Sequence, residues 1–156
     1  MNDTNGSSET KPYLLDVNVL LALAWKGHQH HDEAHEWFEA NCTHGFCTCP
    51  LTQVAFVRMS CNPVFTKRAV APVEAARLLS LITDMPEHQF WADDLPFSEV
   101  VTRCGLLVGH RQVTDAYLVS LAAARKGVLA TFDQGVAAMR VRDDGEGPVV
   151  EILGTR

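Results

Sequence analysis

The sequence predicts an α/β fold in which a central parallel sheet of about five strands carries helices on both faces. Short apolar segments typical of buried strands alternate along the chain with longer segments of helical periodicity. Apolar residues make up 47% and charged residues 21% of the 156 residues, as in an ordinary soluble domain with a substantial core. With no repeat and no wide linker, the chain is expected to form one domain.

Each predicted strand is a short apolar run that ends at a turn residue or at a helix start. The first begins at Tyr13 and ends at Asp16, where an acidic residue interrupts apolar sequence. A carboxylate in such a setting is costly unless it meets a cation or hydrogen-bond donors. The predicted strands are 13–16, 46–48, 88–91, 128–131 and 149–153.

The predicted helices lie between these strands and show one apolar face each. Pro50 and Pro72 suit the first turn of a helix, because proline's missing N–H would be unpaired there anyway. Gly127 suits a C-terminal stop. The predicted helices are 18–25, 32–42, 51–60, one that begins at Pro72, 97–104 and 112–126, whereas 140–148 is polar and glycine-rich and is predicted to be a loop.

The start of the chain and its cysteine content predict a compartment. Residues 1–12 are polar and predict a flexible tail before a folded domain at 13–156. No run of about 20 apolar residues and no secretory pattern is present, so we expect a cytoplasmic protein that does not insert in a membrane. Five cysteines are an odd number and fit no disulfide framework.

Two groups of residues have the composition of a transition-metal site. Cys42, Cys47 and Cys49 lie near His44, but Cys47 and Cys49 straddle a single residue and no second ligand pair follows. Buried, reduced cysteines are therefore the preferred interpretation. His31 and His35 lie one helical turn apart, and a solvated helix start explains them equally well.

Three aspartates define the strongest candidate site. Asp16 follows the first strand, Asp133 follows the fourth, and Asp115 lies near the start of a long helix. Singly, Asp16 would cap a helix, Asp115 would complement a helix dipole and Asp133 would shape a turn. Together they would meet at the carboxyl edge of a parallel sheet, where ligands gather.

Carboxylates brought together repel one another unless a cation lies between them. Oxygen ligands without thiolate or imidazole favour Mg²⁺ or Mn²⁺, and such an ion activates water for in-line attack on a phosphate. The formal net charge of −6 argues against binding of nucleic acid by bulk attraction, but a bound cation reverses the sign locally. Side chains available for local phosphate contacts are Lys67, Arg68, Arg103, Arg111, Arg125 and Lys126.

The segments that contain these acids resemble the three acidic motifs of PIN-domain ribonucleases, and most closely those of VapC toxins. They read Leu-Leu-Asp-Val-Asn-Val-Leu at 14–20, Val-Thr-Asp-Ala-Tyr-Leu at 113–118 and Leu-Ala-Thr-Phe-Asp at 129–133. The likeness spans about 13–153 with the motifs in matching order. It implies a Mg²⁺- or Mn²⁺-dependent endoribonuclease, usually a homodimer, that cleaves RNA and is inhibited by a small VapB-like antitoxin.

Carried over by motif, Asp16, Asp115 and Asp133 are expected to be catalytic metal ligands, and Asn18 and Thr131 their polar neighbours. The segment 52–58 resembles the helix that normally supplies a fourth acid, but here position 53 is Gln. Gln53 would still offer an oxygen to a metal-bound water, although it attracts the cation less.

Two alternatives remain at this stage. A haloacid-dehalogenase-like phosphohydrolase also begins with a strand that ends in Asp-x-Asp, but Asn18 occupies the place of the second acid. The other alternative is a catalytically weakened PIN domain that binds RNA or a partner protein, as Gln53 would allow.

Overall fold

The central feature of the fold is a five-stranded, all-parallel sheet. A computed structural model describes residues 10–139, 141 and 147–154. The strand order is β3-β2-β1-β4-β5, and each neighbouring pair is parallel. The strands are β1 (Tyr13–Leu15), β2 (Phe46–Thr48), β3 (His88–Phe90), β4 (Val128–Thr131) and β5 (Val150–Ile152). The predicted fold class is confirmed.

The helices agree with the sequence prediction to within one or two residues at most ends. They are α1 (Val17–Ala24), α2 (His31–Asn41), α3 (Pro50–Ser60), α4 (Pro72–Thr83), α5 (Phe97–Cys104) and α6 (Val113–Ala124), with 3-10 turns at His110–Gln112 and Gln134–Ala138. Residues 1–9 of the predicted tail, and 140 and 142–146 of the predicted loop, lie outside the described residues.

The end of α6 differs from the prediction in an instructive way. Lys126, not Gly127, takes the left-handed conformation, with φ of 55°. Gly127 is required for a different reason, because a Cβ there would lie 2.6 Å from the Trp91 ring and 2.8 Å from the Pro12 carbonyl oxygen. The glycine therefore lets the chain pass close to these groups as it enters β4.

Alternate residues of the strands fill two hydrophobic cores, one on each face of the sheet. Leu15, Phe46 and Ala130 face the core formed with α1, α2, α3 and α4. Leu14, Cys47 and Leu129 face the opposite core, which is formed with α6. Strands with apolar residues on both faces are characteristic of a buried parallel sheet. In the described part of the chain, no helix is long and apolar enough to cross a membrane.

This topology brings separate segments of the chain to one edge of the sheet. β1 lies at the centre, between β2 and β4. Because all strands are parallel, Asp16 after β1, Thr131 at the end of β4 and Thr48 at the end of β2 lie at the same carboxyl edge. Both α1 and α3 begin there, so the helix starts and the strand ends together form the candidate site.

Candidate active site

Asp16 is the most deeply buried acid at this edge, with 6% of its surface exposed. It caps the N-terminus of α1, where its Oδ1 accepts a 2.7 Å hydrogen bond from the Val17 N–H. Its Oδ2 accepts a 2.7 Å hydrogen bond from the Thr131 hydroxyl and a longer one of 3.3 Å from the Asn18 amide. Both carboxylate oxygens are thus fixed in place by donors from β4 and α1.

Thr131 is the centre of a small polar network around Asp16. Its Oγ1 accepts hydrogen bonds from Asn18 Nδ2 at 2.9 Å and from the Asp133 N–H at 3.1 Å, while its own proton goes to Asp16. Asn18 Oδ1 in turn accepts from the Phe132 N–H at 3.1 Å. The network joins the start of α1 to the segment that follows β4. The structure therefore brings Asn18 and Thr131 together with Asp16.

Asp133 lies on the same segment but is exposed to solvent. It caps the 3-10 turn at Gln134–Ala138, and its Oδ1 accepts a 2.8 Å hydrogen bond from the Gly135 N–H. The turn-shaping role expected from sequence is thus present. Oδ2 of Asp133 receives no hydrogen bond from the described residues.

Asp115 completes the group from the first turn of α6. Burial raises the pKa of its carboxyl to about 6, and the negative charges of Asp16 and Asp133 act in the same sense. Burial also raises the pKa of Asp16, against the effect of the Thr131 and Val17 hydrogen bonds, and Asp133 adds to the rise. The three carboxylates therefore act on one another electrostatically.

Within the described residues, none of these acids forms an ion pair with a lysine or arginine. Nor do three His, Cys, Asp or Glu side chains in this part of the chain form a group that could by itself hold a metal ion. An open group of carboxylates suits Mg²⁺, because that ion usually takes one or two carboxylates and keeps several waters. The donor set fits a hydrated divalent ion with oxygen ligands.

Gln53 lies apart from this network, on the first turn of α3. Its Nε2 donates a 2.9 Å hydrogen bond to Thr48 Oγ1, and that oxygen lies 2.7 Å from His88 Nε2. Sequence reasoning identified Gln53 but missed Thr48 and His88. A polar residue at the end of the strand before α3 was a usable signal for Thr48, whereas His88 becomes visible only through the pairing of β2 with β3.

The two transition-metal interpretations receive no support from the described residues. His31 Nδ1 and His35 Nε2 lie 2.7 Å and 2.9 Å from the carbonyl oxygens of Ala22 and Leu23, so both rings stabilise the end of α1. Burial raises the pKa of the Cys42 and Cys47 thiols to about 12, which makes them poor metal ligands at neutral pH.

Comparison with known proteins gives a consistent result. The family model described as "PIN domain" matches residues 13–141. Ribonuclease VapC38 of Mycobacterium tuberculosis (strain ATCC 25618 / H37Rv) is 50% identical over 123 residues, which cover 79% of this chain and 86% of that protein. Ribonuclease VapC29 of the same species and strain is 46% identical over 125 residues, covering 80% and 87%.

A solved structure supports the fold. The crystal structure of VapBC2 from Rickettsia felis, bound to a DNA fragment from their promoter, superposes with a TM-score of 0.61 at 11% identity. The match covers 91% of this chain and 98% of that one. At this identity the likeness concerns the fold alone.

The parallel sheet, the acids at its carboxyl edge and the match over 13–141 define a PIN domain. Within that class, the chain belongs to the VapC ribonuclease family. This membership excludes the haloacid-dehalogenase alternative.

The raised pKa of Asp115 predicts a pH-dependent cost to stability in the absence of metal. The folded protein binds this proton more tightly than the unfolded chain, so stability falls as pH rises from about 4 to about 6, and the full cost remains above that range. Asp115→Asn should therefore stabilise the metal-free protein at pH 7.5 by about 1 kcal/mol, after allowance for solvent screening. Thermal unfolding in EDTA at pH 7.5 and at pH 4 measures the difference.

The gain in stability from Asp115→Asn should disappear at pH 4, where the Asp115 carboxyl of the wild type is protonated. Asp93→Asn, which removes an exposed carboxylate elsewhere, should leave the unfolding temperature nearly unchanged at both pH values. An Asp115→Asn gain of equal size at both pH values would contradict the electrostatic origin.

Proposed function

We propose that this chain is the toxin of a type II toxin–antitoxin pair and that it hydrolyses phosphodiester bonds in RNA with the help of Mg²⁺ or Mn²⁺. The observation that carries the proposal is the group of Asp16, Asp115 and Asp133 at one sheet edge, mutually repelling and without a cationic side chain paired to them in the described part of the chain. The names of its relatives, Ribonuclease VapC38 and Ribonuclease VapC29, support RNA as the substrate.

When bound, the divalent ion supplies charge to stabilise the phosphate and lowers the pKa of a coordinated water. Asp16, Asp115 and Asp133 are the proposed ligands. Asp16 is held rigidly by the Thr131 hydroxyl and the Val17 N–H, so its carboxylate is oriented before any ion arrives. Asp133 is exposed and Gly135 anchors its Oδ1, so its Oδ2 would be available to the ion.

Asn18 and Thr131 position the acids and need not contact the substrate. The Thr131 hydroxyl fixes Asp16, and its oxygen receives the Asp133 N–H, so one side chain sets the relative placement of two acids. Asn18 ties the Phe132 N–H to α1 and keeps that segment in register. Loss of either side chain would loosen the site without removing a ligand.

We further infer that a VapB-like antitoxin inhibits the enzyme in the cytoplasm and that the toxin is a homodimer. The Rickettsia felis relative in fold was solved as VapBC2, which supports a partner of the VapB kind here. An open groove of about 630 Å³ between α3 and α4 offers a mainly apolar surface with one arginine. It extends to Gln53 and so reaches the first turn of α3, and its lining includes Val54, Val57, Arg58 and Leu79.

RNA cleavage tests the function directly. The purified chain with Mn²⁺ should cut structured RNA, whereas Asp16→Asn and Asp133→Asn should each reduce the rate at least about 100-fold, because a neutral amide neither repels its neighbours nor attracts the ion. Single-turnover assays on end-labelled RNA measure these cleavage rates.

Expression of the wild type without a partner should arrest growth, and Asp133→Asn should relieve the arrest.

Asp93→Asn serves as the matched control, since it makes the same chemical change at an exposed aspartate elsewhere on the chain and should keep full activity. Equal cleavage by the wild type and both site variants would identify a contaminating nuclease. No cleavage by any of them, together with RNA binding by the wild type, would favour the weakened PIN domain that acts as a binding module.

Gln53→Glu tests whether position 53 belongs to the metal site. The added charge should tighten Mn²⁺ binding several-fold, because Coulomb attraction rises with each carboxylate near the ion. Titration calorimetry on the wild type and the variant measures the two affinities. Gln89→Glu adds the same charge at an exposed position of β3 and should leave the affinity unchanged. An unchanged affinity for Gln53→Glu as well would remove Gln53 from the site.

A further inference from the structure

A chain of hydrogen bonds runs across two strands to the first turn of α3. His88 Nε2 lies 2.7 Å from Thr48 Oγ1. Thr48 Oγ1 also receives the Gln53 amide at 2.9 Å. The three side chains come from β3, β2 and α3.

Counting protons fixes the direction of this chain. The buried Thr48 hydroxyl accepts the Gln53 N–H, and its other side-chain contact among the described residues is His88 Nε2, so its single proton goes to that nitrogen. A neutral His88 that accepts a hydrogen bond at Nε2 carries its own proton on Nδ1. The amide of Gln53 turns its nitrogen toward Thr48, and its Oε1 has no hydrogen-bond donor among the described residues.

We propose that His88 and Thr48 are positioning residues that hold the Gln53 amide in one orientation, with its carbonyl oxygen directed away from Thr48 and available to a donor. This inference rests on the proposed function for the identity of that donor, which would be a metal-bound water or a ribose hydroxyl of RNA. Both are donors of the class that an amide oxygen accepts. Gln53 then has a role of its own in this chain and does not merely mark the loss of an acid.

The same contacts link the type of residue at position 53 to the protonation of His88. A carboxylate at position 53 has no proton to give, so it would take the Thr48 hydroxyl proton for itself. His88 Nε2 would then face an oxygen lone pair and would need a proton of its own. Position 53 and the protonation state of His88 are therefore coupled through one hydroxyl group.

The surroundings of His88 favour the neutral ring in the wild type. Burial is the largest effect and lowers its pKa below the ordinary value, while the Thr83 carbonyl and the charge of Asp84 raise it. On the neighbouring strand, the Phe46 ring packs against it with centroids 5.4 Å apart. Thr48, which contacts it directly, is fully buried and uncharged.

Histidine NMR on the full-length, metal-free protein tests the proposal without any need for catalysis. In the wild type, long-range ¹H–¹⁵N spectra should show His88 as the Nδ1–H tautomer, with a pKa below the ordinary value of about 6.5. Gln53→Glu should bring the pKa of His88 above 6.5, because the carboxylate takes the Thr48 proton. Thr48→Ser keeps a hydroxyl and should preserve both behaviours.

Gln89→Glu is the matched control, since it places a new carboxylate next to His88 in sequence, on the same strand, but makes no contact with Thr48. It should raise the pKa of His88 less than Gln53→Glu does. In a Thr48→Ala background, Gln53→Glu should no longer carry the pKa above 6.5. An Nε2–H tautomer in the wild type, or an equal rise with and without the hydroxyl, would overturn the proposal.

These outcomes separate the inference from the nuclease assignment. If the protein cleaves RNA but shows the Nε2–H tautomer of His88, the proposed function stands and the positioning role of His88 is wrong. If the predicted tautomer and coupling are observed but no RNA is cut, the hydrogen-bond chain stands and RNA as the substrate is wrong. Should Thr48→Ala fail to fold, the wild-type tautomer and the Gln53→Glu titration still decide the question.

Discussion

The burial of Asp16 at the end of the central strand is the constraint on which the site depends. A carboxylate with 6% exposure is costly to ionise, and its two short hydrogen bonds, from Val17 and Thr131, offset only part of that cost, since burial still leaves its pKa raised. The remaining cost is removed either by a proton or by a cation. Because two further carboxylates act on Asp16, we propose that a divalent cation removes this cost at neutral pH.

The sheet order makes this convergence possible. β4 pairs directly with β1, although the two strands are far apart in sequence, so Thr131 reaches Asp16 across 115 residues. The same residue receives the Asp133 N–H, and α6, which leads into β4, carries Asp115. The parallel sheet thus brings Asp16, Asp115 and Asp133 near enough to act on one another electrostatically, with one hydrophobic core on each of its faces.

Much of this was predictable because strand ends and helix starts leave clear local signals. The apolar run before Asp16, the prolines at 50 and 72 and the strand at 128–131 each fix one element, and the parallel arrangement then places Asp16 and Thr131 at one edge. The Thr48–His88 contact was not predictable, since it depends on the register between β2 and β3. The close approach of Gly127 to the Trp91 ring and the Pro12 carbonyl was not predictable either, because these two groups come from distant segments.

The central claim is that Asp16, Asp115 and Asp133 share one divalent ion. The most direct measurement is a crystal structure of the protein with Mn²⁺, with anomalous diffraction recorded at the manganese edge. We expect an anomalous peak at the carboxyl edge of the sheet, with at least two of the three carboxylates at about 2.0–2.2 Å and waters completing the shell. A manganese peak elsewhere, or three carboxylates that point apart around an empty edge in saturated crystals, would contradict it.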